Sequence, residues 1–189
     1  MFGIYFETKE GYTNKNIMRK LSVLFMLMIG FAFTNAQTEG TNWLKLGIHA
    51  GIPVGDAGDA SSFALGVDAK YQFLDLESFG IGVATGYTNY FGKEIDVAGL
   101  GTVDMDDFGV VPVAALFRYY PTQNFFIGTD LGYGFITGVD GADGGFYYRP
   151  EIGYHNNDWN IFAYYAGVSN DFNVSNAGIG VNYNIIKGQ

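Results

Sequence analysis

The residues able to do chemistry are few and oddly placed. There is no cysteine, and the imidazoles are His49 and His155. Charged residues stand singly among glycines and apolar residues: Lys45 in LKLGIHAG, Asp68 and Lys70 in ALGVDAKYQF, Arg118 in ALFRYY, Asp130 in IGTDLGYG, Arg149 and Glu151 in YYRPEIG. An ion in such a setting must find a partner or water, because an unpaired buried charge is costly. Four cations against three carboxylates nearly balance. Two chemistries fit: a closed network of salt bridges and hydrogen bonds, or a charged lining that conducts ions. Nucleophilic catalysis fits less well. It needs a base within hydrogen-bond reach of the nucleophile, and Ser61 and Ser62 have no such partner in view. No catalytic or cofactor-binding residue is assigned, no cofactor is expected, and the chain is read as not an enzyme.

The elements that must carry these charges are strands. In WLKLGIHAGIPV, Leu44, Leu46, Ile48, Ala50 and Ile52 alternate with Lys45, Gly47, His49 and Gly51. In FALGVDAKYQF, Phe63, Leu65, Val67, Ala69, Tyr71 and Phe73 alternate with Gly66, Asp68, Lys70 and Gln72. Successive side chains of a strand point to opposite faces, so each stretch has one apolar face and one small or charged face. FGIGVATGYT, FFIGTDLGYGF, FYYRPEIGYH and AGIGVNYNI repeat the pattern. FGVVPVAALFRYY and WNIFAYYAGV are apolar on both parities, so their register stays open by one residue, which would swap their faces. Eight strands result.

The connections alternate in length. LDLES, PTQ and NND are short; GDAGDAS, GKEIDVAGLGTVDMDD, TGVDGADG and SNDFNVSN are longer and mostly acidic. In an up-and-down sheet this gathers tight turns at one end and long loops at the other, as in transmembrane β-barrels. The second face decides which way such a barrel is turned. A soluble barrel would carry long polar side chains outside. Here that face is mostly Gly and Ala with isolated charges, which suits the narrow interior of eight strands. The apolar face is therefore assigned to lipid and the charges to the lumen. The lumen set is Lys45, Asp68, Lys70, Arg118, Asp130, Arg149 and Glu151, and lack of room for a water column favours a closed network over a channel.

The front of the chain sets the compartment. Arg19 and Lys20 precede an apolar run from Leu21 to Phe33, and Thr34-Asn35-Ala36 follows with a small residue at its end. These are the parts of a cleavable secretory signal, and the run is too short for a spanning helix. The expected organisation is a spurious upstream extension at 1–17, a signal peptide at 18–36 and a barrel domain at 37–189. The formal net charge is −9. It becomes more negative once Lys9, Lys15, Arg19 and Lys20 are removed with the leader. So acidic a chain is a poor nucleic-acid binder, since that affinity rests on neutralising phosphates.

WLKLGIHAGIPVGD, FALGVDAKYQF, VATGYTNYFG and GTDLGYGF with GGFYYRPEIGY resemble the small outer-membrane β-barrel proteins, the porin-like OmpA/OmpX-type group. The resemblance covers nearly all of residues 41–186. It implies an all-β, eight-stranded antiparallel up-and-down transmembrane barrel in a bacterial outer membrane, reached through the periplasm. One departure is the ending: such barrels often close on an aromatic residue, whereas this chain runs past Tyr183 to NIIKGQ. The function read from all this is structural or surface-interacting, with a plugged polar lumen; the alternative is a small pore for ions or small solutes. Outer-membrane lipid is the expected surrounding, a monomer the expected state, and the acidic loops a place for an extracellular ligand or surface. Asp104, Asp106 and Asp107 cluster in one loop, and Asp140 and Asp143 in the next. They lack the spacing of a dedicated calcium loop, so no metal site is assigned. GYGFITGVDGADGG opens no helix and is not a nucleotide loop.

Overall fold

A pleated strand with one greasy face is stable only if that face meets something apolar and its edges find partners. Closure of the sheet on itself solves the second problem. The computed structural model describes residues 43–188 except 77, 98–100, 140 and 170–172. The expected signal peptide and the upstream segment lie outside the described residues.

The described chain runs β1 (Trp43–Val54), α1 (Asp56–Ala60), β2 (Ser61–Leu76), β3 (Phe79–Gly92), β4 (Glu94–Val97), β5 (Gly101–Asp104), β6 (Phe108–Thr122), β7 (Phe125–Thr137), β8 (Gly145–His155), β9 (Trp159–Ser169) and β10 (Val174–Ile186). Eight of these strands form a closed antiparallel barrel in the order β1-β10-β9-β8-β7-β6-β3-β2. The seam between β1 and β10 is sealed from Leu44↔Ile186 to Val54↔Ser175. The remaining strands, β4 and β5, form a separate two-stranded sheet among the described residues. They form a hairpin inside what the sequence reads as one acidic loop. Its four-residue strands are too short for alternation to announce them.

The barrel's two ends differ as the connection lengths suggest. The turns after β2, β6 and β8 are short, while α1, the β4–β5 hairpin and the described residues between β7 and β8 sit at the opposite end. Several strands outrun their apolar pattern. β6 continues through Pro121 and Thr122, and β10 begins at Val174 inside the stretch read as loop. Backbone pairing does not require an apolar side chain, so the ladder extends past the lipid-facing segment.

Register settles the two ambiguous strands. In β6, Val113, Ala115, Phe117 and Tyr119 face out while Ala114, Leu116 and Arg118 are buried. In β9, Ile161, Ala163 and Tyr165 face out while Asn160, Phe162, Tyr164 and Ala166 are buried. Two prolines mark breaks in the ladders. Pairing of β3 with β6 skips from Thr85↔Val113 to Thr88↔Val110 across Pro112. Pairing of β8 with β9 skips from Tyr148↔Gly167 to Glu151↔Tyr164 across Pro150. Proline has no N–H to give a ladder; at the first gap the Thr85 hydroxyl donates to the Pro112 carbonyl at 2.8 Å instead.

The outside is a continuous apolar belt. Ile48, Val67, Ile127, Ile152 and Ile179 all stand exposed, Ile179 at 69 %. No water-soluble monomer tolerates so large an apolar surface, so lipid is its surrounding. Aromatic pairs edge the belt at both ends: Phe79–Tyr119 and Trp159–Tyr183 at the short-turn end, Phe63–Phe91 and Tyr133–Phe135 at the long-loop end. Amphipathic rings of this kind concentrate at the two interfaces of a membrane barrel.

Candidate functional site

The interior is layered, and the middle layer is ionic. β2 contributes Asp68 and Lys70, β6 Arg118, β7 Asp130, and β8 Arg149 and Glu151; all six are buried. Lys70 Nζ lies 2.9 Å from Asp130 Oδ2 and also contacts Glu151 Oε1. Arg118 divides its guanidinium between Asp130 Oδ1 at 3.0 Å and Glu151 Oε2 at 2.7 Å. Arg149 forks onto Asp68, with Nη1–Oδ1 at 2.7 Å and Nη2–Oδ2 at 3.3 Å. Its Nε is 3.1 Å from Glu151 Oε1, close enough for charge attraction, though the N–H is not aimed along a hydrogen bond. Each carboxylate thus meets at least one cation directly, and Glu151 meets three.

Geometry of the sheet makes this reach possible. Gly128 lies opposite Arg118 on one side and opposite Glu151 on the other. A Cβ at Gly128 would fall 2.5 Å from Arg118 Cδ, so only glycine lets the arginine lie across β7 to the glutamate. A Cβ at Gly180 would likewise sit 2.4 Å from the Phe162 ring. Rings then cover the charges. Arg149 lies 4.2 Å from the Tyr164 centroid, Lys70 5.1 Å from Phe162, and Arg118 5.4 Å from Phe126, all within cation–π range.

Toward the long loops the lumen turns apolar. Tyr90, Val110, Tyr147, Tyr164, Ala166, Val168 and Val174 belong to one buried cluster, with Ala57 of α1 at its outer edge. Tyr90 stacks on Phe108 at 4.7 Å and its hydroxyl accepts a hydrogen bond from Asn176 Nδ2 at 2.5 Å. Lys93 Nζ donates to the Gly58 carbonyl at 2.6 Å, tying the hairpin's base to α1. The sequence reading expects a lumen of glycine and charge, and this aromatic layer escapes it. The missing signal lay in β9, where Phe162 and Tyr164 look like lipid-facing residues until the register is known.

Lys45, the seventh residue expected in the network, is not brought into it. Among the described residues its ammonium reaches no carboxylate within ion-pair distance; it donates one long bond, 3.4 Å, to Gln72 Oε1. His49, conversely, joins without having been singled out for the network. Its Nδ1 is 3.1 Å from Asp68 Oδ2 and its Nε2 2.9 Å from Thr88 Oγ1. The order carboxylate, imidazole, hydroxyl resembles a nucleophile relay, but the Nδ1 is not aligned for a hydrogen bond to Asp68, and both Asp68 oxygens already receive Arg149. A base held this way is not oriented by its acid.

At the short-turn end the lumen opens into a cavity of about 310 Å³, lined among others by Trp43, Lys45, Asp75, Tyr120, His155 and Asn184. Among the described residues, no group of three or more His, Asp or Glu is placed to hold a metal. Asp107 acts as a tether, accepting from Gly92 N at 2.9 Å and Asn89 Nδ2 at 3.1 Å. Asp140 lies outside the described residues.

No family model matches the sequence, and no curated protein does. Solved structures do. Ail, the attachment invasion locus protein of Yersinia pestis, aligns in its crystal structure with a TM-score of 0.53 at 17 % identity, covering 78 % of this chain and 100 % of that one. The same outer-membrane protein in a phospholipid bilayer nanodisc gives 0.55 at 17 % identity with the same coverage. A third structure, at 0.50 and 18 %, shows Ail in complex with the heparin analogue sucrose octasulfate. The chain has the fold of the small outer-membrane β-barrels. Its apolar belt agrees with that fold's surroundings.

Proposed function

We propose that this barrel is a monomeric outer-membrane anchor whose lumen is plugged and whose acidic long loops engage a partner outside the cell. The observation that carries the plugged reading is the buried set Lys70, Arg118, Arg149, Asp68, Asp130 and Glu151, interlocked by ion pairs at about hydrogen-bond distance. Charges that satisfy one another this way leave no unpaired ligand for a passing ion, and the aromatic layer stacked above them excludes water. The export reading belongs with it: a leader at 18–36 removed after Ala36, leaving Gln37 first, which N-terminal sequencing of membrane-extracted protein reads directly.

The partner's chemistry follows from the loops. Asp56, Asp59, Glu94, Asp104 and Asp106 stand at the long-loop end, and Lys93 there is engaged by Gly58. A polysulfate such as the one held by Ail would be repelled by this rim. A cationic surface would be drawn to it, more so at low salt.

Planar-bilayer recording tests the plug. The parent protein is expected to give no steady current. A large, stable, ion-selective conductance would mean that the charges line a channel, and the pore reading would replace this one.

A further inference from the structure

We propose that the cavity at the short-turn end is a binding site, reached from the periplasm, for a small monocarboxylate with an apolar or aromatic body. Lys45 is 5 % exposed, yet among the described residues its ammonium makes a single hydrogen bond, the long one to Gln72 Oε1, which already accepts the Tyr120 hydroxyl at 2.9 Å. Its Nζ lies 5.8 Å from the Trp43 centroid, at the edge of useful cation–π attraction. Among the described residues, no carboxylate lies within ion-pair distance of it. The neighbouring lumen cations do not share theirs: Lys70, Arg118 and Arg149 take Asp68, Asp130 and Glu151 among themselves. The lumen set therefore carries one cation more than it has anions, and that cation lines the cavity. A buried ion without a counter-ion is unfavourable, and an anion entering from the periplasm would relieve it.

The other walls select the kind of anion. The His155 imidazole lines the same space and adds a polar group to its wall. Trp43 and Tyr120 supply flat apolar surface, and Tyr120 packs on His155 at 4.7 Å. Asp75 faces the cavity and accepts Trp43 Nε1–H at 3.3 Å. Its negative charge disfavours a dianion such as phosphate, which limits the guest to a single charge. A volume of about 310 Å³ is at the lower end for a small-molecule pocket.

The experiment uses the whole barrel folded in detergent micelles, with benzoate as the probe and chloride as the control for charge alone. Trp43 lines the cavity while Trp159 stands on the lipid face, so tryptophan fluorescence reports occupancy. Benzoate is expected to change the emission saturably, and chloride at equal ionic strength is not. Lys45→Met should weaken binding at least tenfold, Lys45→Arg should restore most of it, and Lys187→Met, an exposed lysine at the same end, should leave it unchanged. Circular dichroism checks that each variant keeps the barrel. Absence of saturation in the folded parent, or equal binding by Lys45→Met, would overturn the proposal.

Discussion

The centre of the lumen and its short-turn mouth are built from the same residue types and behave as opposites. In the centre, Lys70, Arg118 and Arg149 are each within ion-pair distance of a carboxylate, and rings pack over them. At the mouth, Lys45 lies directly opposite Lys70 across the β1–β2 ladder and, among the described residues, has no carboxylate within ion-pair distance. One ladder step separates a cation locked in a network from one left facing a cavity. Burial alone therefore does not set what a charge contributes. What matters is whether removing it strands a partner.

The strongest way to break this comparison is at Glu151. It meets Lys70, Arg118 and Arg149, so Glu151→Ala leaves three buried cations to share Asp130 and Asp68, one negative charge short. Loss of one member of a buried ion network costs roughly 3–5 kcal/mol. Denaturant titration of the folded barrel should show that loss, and bilayer recordings should show bursts of current absent from the parent. Parental stability would mean that water already reaches the centre and that centre and mouth do not differ.

The lipid face gives a yardstick of known direction. Val67→Arg or Ile127→Arg places a charge against the hydrocarbon, where it costs about 2–4 kcal/mol at midplane. Both side chains stand exposed on the belt. Unfolding in the presence of lipid should register the loss, and no partner exists on that face to soften it. Arginine variants as stable as the parent would invert the assignment of inside and outside on which the comparison rests.

Gly128 tests whether the centre is close-packed. A side chain there would press on Arg118 within 2.5 Å, and overfilling of a packed interior costs about 1–3 kcal/mol. Gly128→Val should destabilise the barrel by that order, whereas a loose, water-filled centre would let Arg118 swing aside at little cost.

The difference between the two layers also explains what could be read from the chain alone. Period-two alternation is strict in β1, β2 and β7, so their faces and the inward set of charges were legible. Connection lengths placed the two ends. What could not be read was register in β6 and β9, because Phe162 and Tyr164 are apolar residues turned inward and only the β8–β9 and β9–β10 pairings show it. Pair choice was equally hidden. Parity puts Lys45 and His49 on one face, but which of them reaches Asp68 depends on stagger between strands: Asp68 lies opposite Gly47, one step from each, and the histidine is the one that meets it. The α1 turn and the β4–β5 hairpin were too short to carry a period.

Lys45→Met is the smallest change expected and the sharpest test of the contrast with Glu151. Substitution removes a charge whose loss strands nothing, because Gln72 Oε1 keeps its bond from Tyr120. The methionine stem replaces the lysine stem against Trp43, and the cost of holding an uncompensated ammonium disappears. Stability should shift by less than about 1 kcal/mol, toward a more stable barrel. Denaturant midpoints measured side by side with Glu151→Ala would then separate the two layers. A large destabilisation by Lys45→Met would show that its ammonium has a counter-charge after all, with Glu151 and Asp75 the carboxylates whose fields reach it, and the mouth would join the locked network instead of standing apart from it.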